Sequence, residues 1–319
     1  MQADEAIPEQ ASPREVSFWD IKPLLPLLKN DAVSFLSRVQ EQFGDLVHVN
    51  ILGTRLLIIS DYEWAKDILT SKHANLTRPP VLKKRSERYG IRGILVDDGE
   101  AWKKSRTQLV GCFHKKQIDN KTELLETRIR EGLANLGVKG EKHNTMRLFS
   151  SVMLSLVFEY LYDYPIDGFD EDVVDVFYEL HEYFFDDLTN MATVPMWVPT
   201  GRNRKIRQIN ERFHSNVDRA ATSISSRTGR SFEEVRNEVS NMFVSGMEAT
   251  ASMLTWALYV LVEDPALQES LREDLRAGGP QSDVQLESFL NDVMRMYPSG
   301  YMFNREVGSE FEYEGYRIK

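Results

Sequence analysis

The chain has one cysteine, Cys112, among 319 residues. A single thiol closes no intrachain disulfide, so cross-linking contributes nothing to this fold and nothing points to an oxidising compartment. Long hydrophobic runs are also missing. The most apolar stretch, residues 253–262, ends at Glu263-Asp264-Pro265, well short of the roughly 20 residues that a membrane span requires. The N-terminus, Met1-Gln-Ala-Asp-Glu, is acidic and lacks a basic segment followed by an apolar one, so no secretory leader is expected. Positive charge is in deficit. Lys and Arg number 39 against 49 Asp and Glu, a net charge of −10, which argues against nucleic acid as a general partner. No glycine-rich phosphate loop and no Ser/His/Asp arrangement stands out. His48, His73, His114, His143, His181 and His214 lack metal-ligand spacing; they are read as structural or exposed, and no metal site is expected from them. A cytoplasmic location is the expectation.

What is present reads mostly as helix. Residues 1–15 are polar and expected to be disordered, and 16–319 to form a single domain. Val33, Phe35, Leu36, Val39 and Phe43 recur at helical spacing. Two strand-like runs follow, 46–51 and 55–59, split by Leu52-Gly53-Thr54 as in a hairpin. Ser60-Asp61 caps a helix to about Leu69. Residues 72–98, with their prolines, glycines and charges, read as a long irregular segment. Beyond Leu95 the pattern is helical. Asp98-Gly99-Glu100 opens one helix through Trp102 to Phe113, and amphipathic stretches cover 117–136, 145–162, 170–190 and 202–225. Pro195, Trp197, Pro199 and Gly201 interrupt them. Ser231-Phe-Glu-Glu234 matches a capping box and opens a helix to Glu263, about thirty residues that would cross a whole domain. Pro265 starts a further helix, Gly278-Gly279-Pro280 ends it, and 285–297 form another. The tail 303–319 is β-like, with Glu314-Gly315 as a turn.

Three patterns could carry chemistry. Ser245-Gly246-Met247-Glu248-Ala249-Thr250 lies inside the apolar helix. Glycine weakens a helix by about 1 kcal/mol against alanine, and a carboxylate in an apolar run is costly unless partnered. Such breaches of local rules mark functional sites. Trp102-x-x-x-Arg106 offers a directed indole donor and a guanidinium fork suited to a carboxylate. Asp292-x-x-Arg295 puts acid and base on one helix face and is followed by Tyr297-Pro298 and Arg305. Each alone has an ordinary reading: a packed helix with Glu248 satisfied by a neighbour, a core tryptophan beside a solvated arginine, or a surface pair worth a few tenths of a kcal/mol. Their order is more specific than any one of them.

In this order the patterns resemble the cytochrome P450 family of haem-thiolate monooxygenases, over roughly residues 20–319. The resemblance implies a mainly α fold with a small β-sheet region. It implies that Trp102 and Arg106 meet one propionate of a haem b, that Arg305 meets the other, and that Asp292 and Arg295 form a structural pair. Gly246 would let the central helix part its hydrogen bonds and leave room for O2. Glu248, Ala249 and Thr250 occupy the positions that manage protons. Ser245 stands for the usual alanine or glycine, Asp292 for glutamate, and Ala249 where a threonine is expected. Thr250 lies about 100° further round the helix and cannot simply take over, so bound water or a substrate hydroxyl is expected to supply the missing donor.

The resemblance also implies a haem-dependent monooxygenase that oxidises a lipophilic small molecule with O2 and electrons from a ferredoxin or flavoprotein. That partner would dock on Lys103, Lys104, Lys115 and Lys116. Substrate selection would fall to residues 72–98, to Tyr183–Trp197, and to the helix face near Met242 and Met247. The family's cysteine-ligand segment has no counterpart before Lys319, so the fold is expected to be C-terminally truncated and the 319-residue product inactive as a monooxygenase. Cys112, in Leu-Val-Gly-Cys-Phe-His, is read as an ordinary core thiol. The connection at residues 223–230 is short for the family. The alternatives are a non-catalytic binding protein on a degenerate scaffold of this type and an all-helical interaction protein that mimics the motif order.

Overall fold

The structure is a computed structural model that describes residues 13–51, 54–134, 142–189 and 193–319. It comprises two compact units, residues 1–79 with 304–319, and residues 80–303.

In the first unit, β2 (Leu46–Ile51) pairs antiparallel with β3 (Thr54–Ile59), and β1 (Arg14–Val16) adds to β2 in parallel. Arg14 and Glu15, assigned by sequence to a disordered terminus, are therefore in the sheet; residues 1–12 lie outside the described residues. So do Leu52 and Gly53 of the expected hairpin, although the Ile51↔Thr54 register leaves only those two for the connection. Short helices α1 (Phe18–Ile21) and α2 (Leu25–Asn30) lead into α3 (Ala32–Phe43). Asp31 caps α3 by accepting from Ser34 N at 3.0 Å, and Asp61 caps α4 (Tyr62–Ser71) from Trp64 N at 2.8 Å. Both caps satisfy orphan helix donors. The tail supplies β5 (Glu306–Val307), paired with β4 (Leu76–Thr77), and the hairpin β6 (Phe311–Tyr313)–β7 (Tyr316–Ile318). Glu314 and Gly315 both take positive φ, 47° and 74°, as a two-residue primed turn requires.

The second unit is helical. The segment 72–98, expected to be irregular, contains α5 (Pro80–Arg88). Proline is suited to a helix start, and Arg85 and Ser86 are buried, contacts that charge-rich local sequence conceals. Next comes α6 (Gly99–Val110). The stretch expected as one helix over 117–136 is instead α7 (Lys115–Asp119) and α8 (Thr122–Ala134), with residues 135–136 outside the described residues. Lys121 at the joint donates to the Tyr160 carbonyl at 2.7 Å.

α9 (Thr145–Tyr162), α10 (Val173–Thr189) and α11 (Gly201–Thr228) follow the amphipathic pattern. They enclose a core in which Phe158, Phe169, Phe213 and Phe243 meet ring to ring at 4.9–5.3 Å, contacts worth about 0.5–1.5 kcal/mol per pair beyond area burial. The thirty-residue central helix is two, α12 (Phe232–Gly246) and α13 (Glu248–Glu263), broken at Met247. The capping box does not form. Ser231 makes no side-chain cap, and Glu234, its expected partner, is drawn to Lys104 at 2.5 Å. α14 (Pro265–Ala277) and α15 (Pro280–Met296) complete the unit, α15 starting at its proline rather than at residue 285.

Candidate haem-binding face

The residues singled out in sequence fall mainly on α6, α12 and α13. α6 and α12 both line a cleft of about 160 Å³, with Ala101, Lys104, Glu234 and Asn241 among its residues. The Lys104–Glu234 ion pair crosses it and holds the Glu234 carboxyl below the usual range. Trp102 and Arg106 sit one turn apart on the flank of α6, the guanidinium 5.4 Å from the centre of the indole ring. Among the described residues neither the indole N–H nor the guanidinium has a protein acceptor, and Arg106 is exposed. Adjacent donors left without acceptors fit an incoming carboxylate, such as a haem propionate, by charge and by hydrogen-bond demand.

At the break in the central helix, α9 packs closely against Gly246. Gly246 ends α12, and a Cβ built on it would lie 3.2 Å from Val157 Cγ1 of α9. Glycine here admits α9, so the space it frees is already filled from that side. Ser245 and Ala249, on either side of the break, are both exposed. Met247 takes φ −110° and ψ −54°, makes no cap, and is fully buried. Its side chain belongs to the aromatic core, which corrects the expectation that it faces substrate; Met242 is nearly as buried.

Glu248 begins α13, where the helix dipole favours negative charge. Its carboxylate is not left unpaired: Oε2 lies 2.8 Å from His181 Nε2 of α10. That partner escaped sequence reasoning, which read every histidine as structural or exposed. The available signal was position, since His181 lies four residues from both Phe177 and Phe185 and contacts both rings, at 5.7 and 4.3 Å. Thr250 is half-buried, and its hydroxyl has no partner among the described residues.

Asp292 and Arg295 pair at 3.1 Å while both remain largely exposed. Arg305 belongs to the first unit, just before β5, and donates to the Asn304 carbonyl at 2.8 Å. The basic cluster is largely neutralised. Lys103 lies 3.8 Å from Glu100, Lys104 is held by Glu234, and Lys115 reaches Asp119 at 2.8 Å. Lys116 has no carboxylate partner among the described residues. Cys112 is free and half-buried rather than a core residue, with its carbonyl accepting from the Tyr160 hydroxyl.

Comparison with known proteins agrees with this layout. The family model for cytochrome P450 matches residues 13–228 and 219–319, and the chain belongs to that family. The two matched segments meet at the end of α11, where only residues 229–231 lead to α12 and Gly229 adopts φ 70°. Among curated relatives, the Arabidopsis thaliana chloroplastic protein LUTEIN DEFICIENT 5 is 22% identical over 80% of this chain and 51% of its own length. Abscisic acid 8'-hydroxylase 1 of the same plant is 20% identical over 92% of this chain and 66% of its own length, and alkane hydroxylase MAH1 is 21% identical over 77% and 59%. The chain thus spans about half to two thirds of the length of these relatives. The crystal structure of CYP175A1 from Thermus thermophilus superposes with a TM-score of 0.78 at 19% identity, covering 96% of this chain and 74% of that one. The fold is that of a cytochrome P450, mainly α with small sheets. No helix of the described residues is long and apolar enough to cross a membrane.

Proposed function

We propose that this chain is the part of a haem monooxygenase that binds one edge of the porphyrin and presents O2 and a lipophilic small molecule to each other, and that residues 16–319 act as one P450-like domain. The observation that carries this reading is the adjacent pair of donors Trp102 and Arg106 on α6, without a protein acceptor among the described residues, in a chain of this family. The names of its relatives, an alkane hydroxylase and an abscisic acid hydroxylase, support hydroxylation of a lipophilic substrate.

When bound, haem b supplies the iron at which O2 is reduced and one oxygen atom is inserted into substrate. Trp102 and Arg106 would hold one propionate through the indole N–H and the guanidinium fork, and by the family resemblance Arg305 would hold the other. Gly246 lets α9 close on α12. Glu248, at the start of α13, would pass a proton onward. Ala249 offers no hydroxyl, so water ordered near Ser245 or Thr250, or a hydroxyl of the substrate, completes the donor set. Asp292 and Arg295 are a structural pair. Electrons come from a ferredoxin or flavoprotein meeting the α6–α7 face, where Lys116 is free to contribute charge; the protein works in the cytoplasm. The test is turnover of the full-length protein under isotopically labelled O2 with a reductase and lipophilic candidates. Incorporation of one labelled oxygen per product is expected. Haem-loaded protein that yields only unlabelled product would overturn the reading.

A further inference from the structure

At the break of the central helix His181 Nε2 lies 2.8 Å from Glu248 Oε2, with side chains only 19% and 29% exposed. The imidazole is clasped by Phe177 and Phe185, so its ring has little freedom to turn away. Its Nδ1 has no protein partner among the described residues. One residue beyond Glu248 stands Ala249, which can neither give nor accept a proton. The other charged and titratable groups about the pair are few. On α10, one turn before His181, Tyr178 shares a hydrogen bond of 2.7 Å with Ser150 of α9; burial raises its hydroxyl, and the charge of Glu248 adds to the rise. Arg147 of α9 lies 5.0 Å over the Tyr178 ring but is engaged by Asp175, so those two charges largely cancel.

We propose that His181 is the positioning and proton-resupply residue for Glu248, filling from α10 the role that Ala249 leaves vacant on α13. Protonated His181 donates Nε2–H to Glu248 Oε2, which becomes a carboxylic acid while the imidazole becomes neutral. The imidazole is left neutral with its proton on Nδ1 and is recharged by solvent hydronium at the vacated Nε2 once Glu248 has passed its own proton on, so the net supply is one proton from solvent and no electron moves. The assignment rests on the reading of Glu248 as a proton carrier, and it adds the neighbour that orients and reloads it.

The test uses His181→Phe, His181→Gln, Glu248→Gln and the His181→Phe/Glu248→Gln double variant. In thermal denaturation, which needs no haem, the double variant should lose little more than the larger single loss, because the two residues act as one unit. In the haem-loaded full-length protein, product formed per reducing equivalent should fall at least about tenfold in His181→Phe, with KM for the organic substrate unchanged. His181→Gln, which keeps an N–H donor but carries no exchangeable ring proton, should recover part of the orientation but not the full product ratio. Additive thermal losses overturn the proposal. So does an unchanged product ratio in His181→Phe where Glu248→Gln lowers it. If both variants keep the wild-type ratio, the proton role of Glu248 falls with it; if haem is not taken up at all, the functional reading falls, while the denaturation cycle still decides whether the two residues work together.

Discussion

The side-chain amide of Asn241 on α12 lies so close to Gly93 that a Cβ there would come within 2.6 Å of Nδ2. From this position the buried amide accepts from Leu95 N at 3.1 Å and donates to the Arg92 carbonyl. The segment that leads into α6, and so to Trp102 and Arg106, is pinned by one side chain. Asn241→Ala removes both bonds and leaves the Leu95 N–H and the Arg92 carbonyl without this partner, so it should lower stability by about 1–3 kcal/mol in denaturant titration. Gly93→Ala should also destabilise, since residue 93 takes φ 101° as well as abutting Asn241. Wild-type midpoints in both variants would contradict the account.

Gly246 offers a second test of packing. Alanine there gains helix propensity but meets Val157 at 3.2 Å, a contact α9 can absorb only by shifting. Gly246→Val places more atoms against the same side chain and should cost about 1–3 kcal/mol through overpacking. Val157→Ala introduced with it should restore part of the loss. Failure of that rescue would place the reason for glycine elsewhere.

Asp187 is almost fully buried at the end of α10 and draws on three donors. It accepts from the Tyr89 hydroxyl at 2.7 Å and from Arg202 at 2.8 Å, and Arg88 Nε lies 2.8 Å away, close as a charge though poorly aligned as a hydrogen bond. The carboxylate pushes the Tyr89 hydroxyl up, on top of the larger effect of burial. Asp187→Ala strands buried Arg88 without its counter-charge and should cost about 3–5 kcal/mol by thermal or chemical denaturation. A loss under about 1 kcal/mol would show the network to be dispensable.

Much of this architecture was legible because it is written in local chemistry. Asp61 announces its helix by capping it, apolar spacing delimits α9, and Glu314-Gly315 specifies the hairpin turn. Features set by contacts distant in sequence were not. α5 is hidden among prolines and charges, the capping box at Ser231 is lost because Lys104, from another helix, claims Glu234, and the close approach of Val157 of α9 to Gly246 joins residues far apart in the chain. At the site, Trp102, Arg106 and Glu248 were readable as oddities of type and spacing. The partner of Glu248 was not, because a lone histidine among aromatics gives no sign of which helix it will face.

Acidification should weaken the fold through two histidines. His214 donates Nε2–H to the Tyr89 carbonyl at 2.8 Å and has its Nδ1 buried without a partner; burial is the main cause that lowers its pKa, with Arg236 adding to it. His48, in the first unit, is likewise lowered, first by burial and then by Arg55. The folded chain thus prefers neutral imidazoles, whereas the unfolded chain takes up protons near the ordinary value of about 6.5. Their contribution is present in full above about pH 6.5 and is lost as pH falls through the depressed folded values. Denaturation midpoints should drop on acidification below about pH 6.5, and less steeply in His214→Gln. An identical slope in that variant would show that His214 does not titrate with unfolding.

The most direct test of the central claim is titration of the apoprotein with haemin, followed by the Soret absorbance and tryptophan quenching, in wild type, Trp102→Phe, Arg106→Ala and Lys103→Ala. A charge-assisted hydrogen bond is worth about 1.5–3 kcal/mol, so Arg106→Ala should weaken haem uptake by at least about tenfold. Trp102→Phe should weaken it by a smaller factor, and Lys103→Ala, whose side chain is exposed near Glu100, should match wild type. Equal affinity across all four proteins would contradict the assignment of Trp102 and Arg106 to a haem carboxylate.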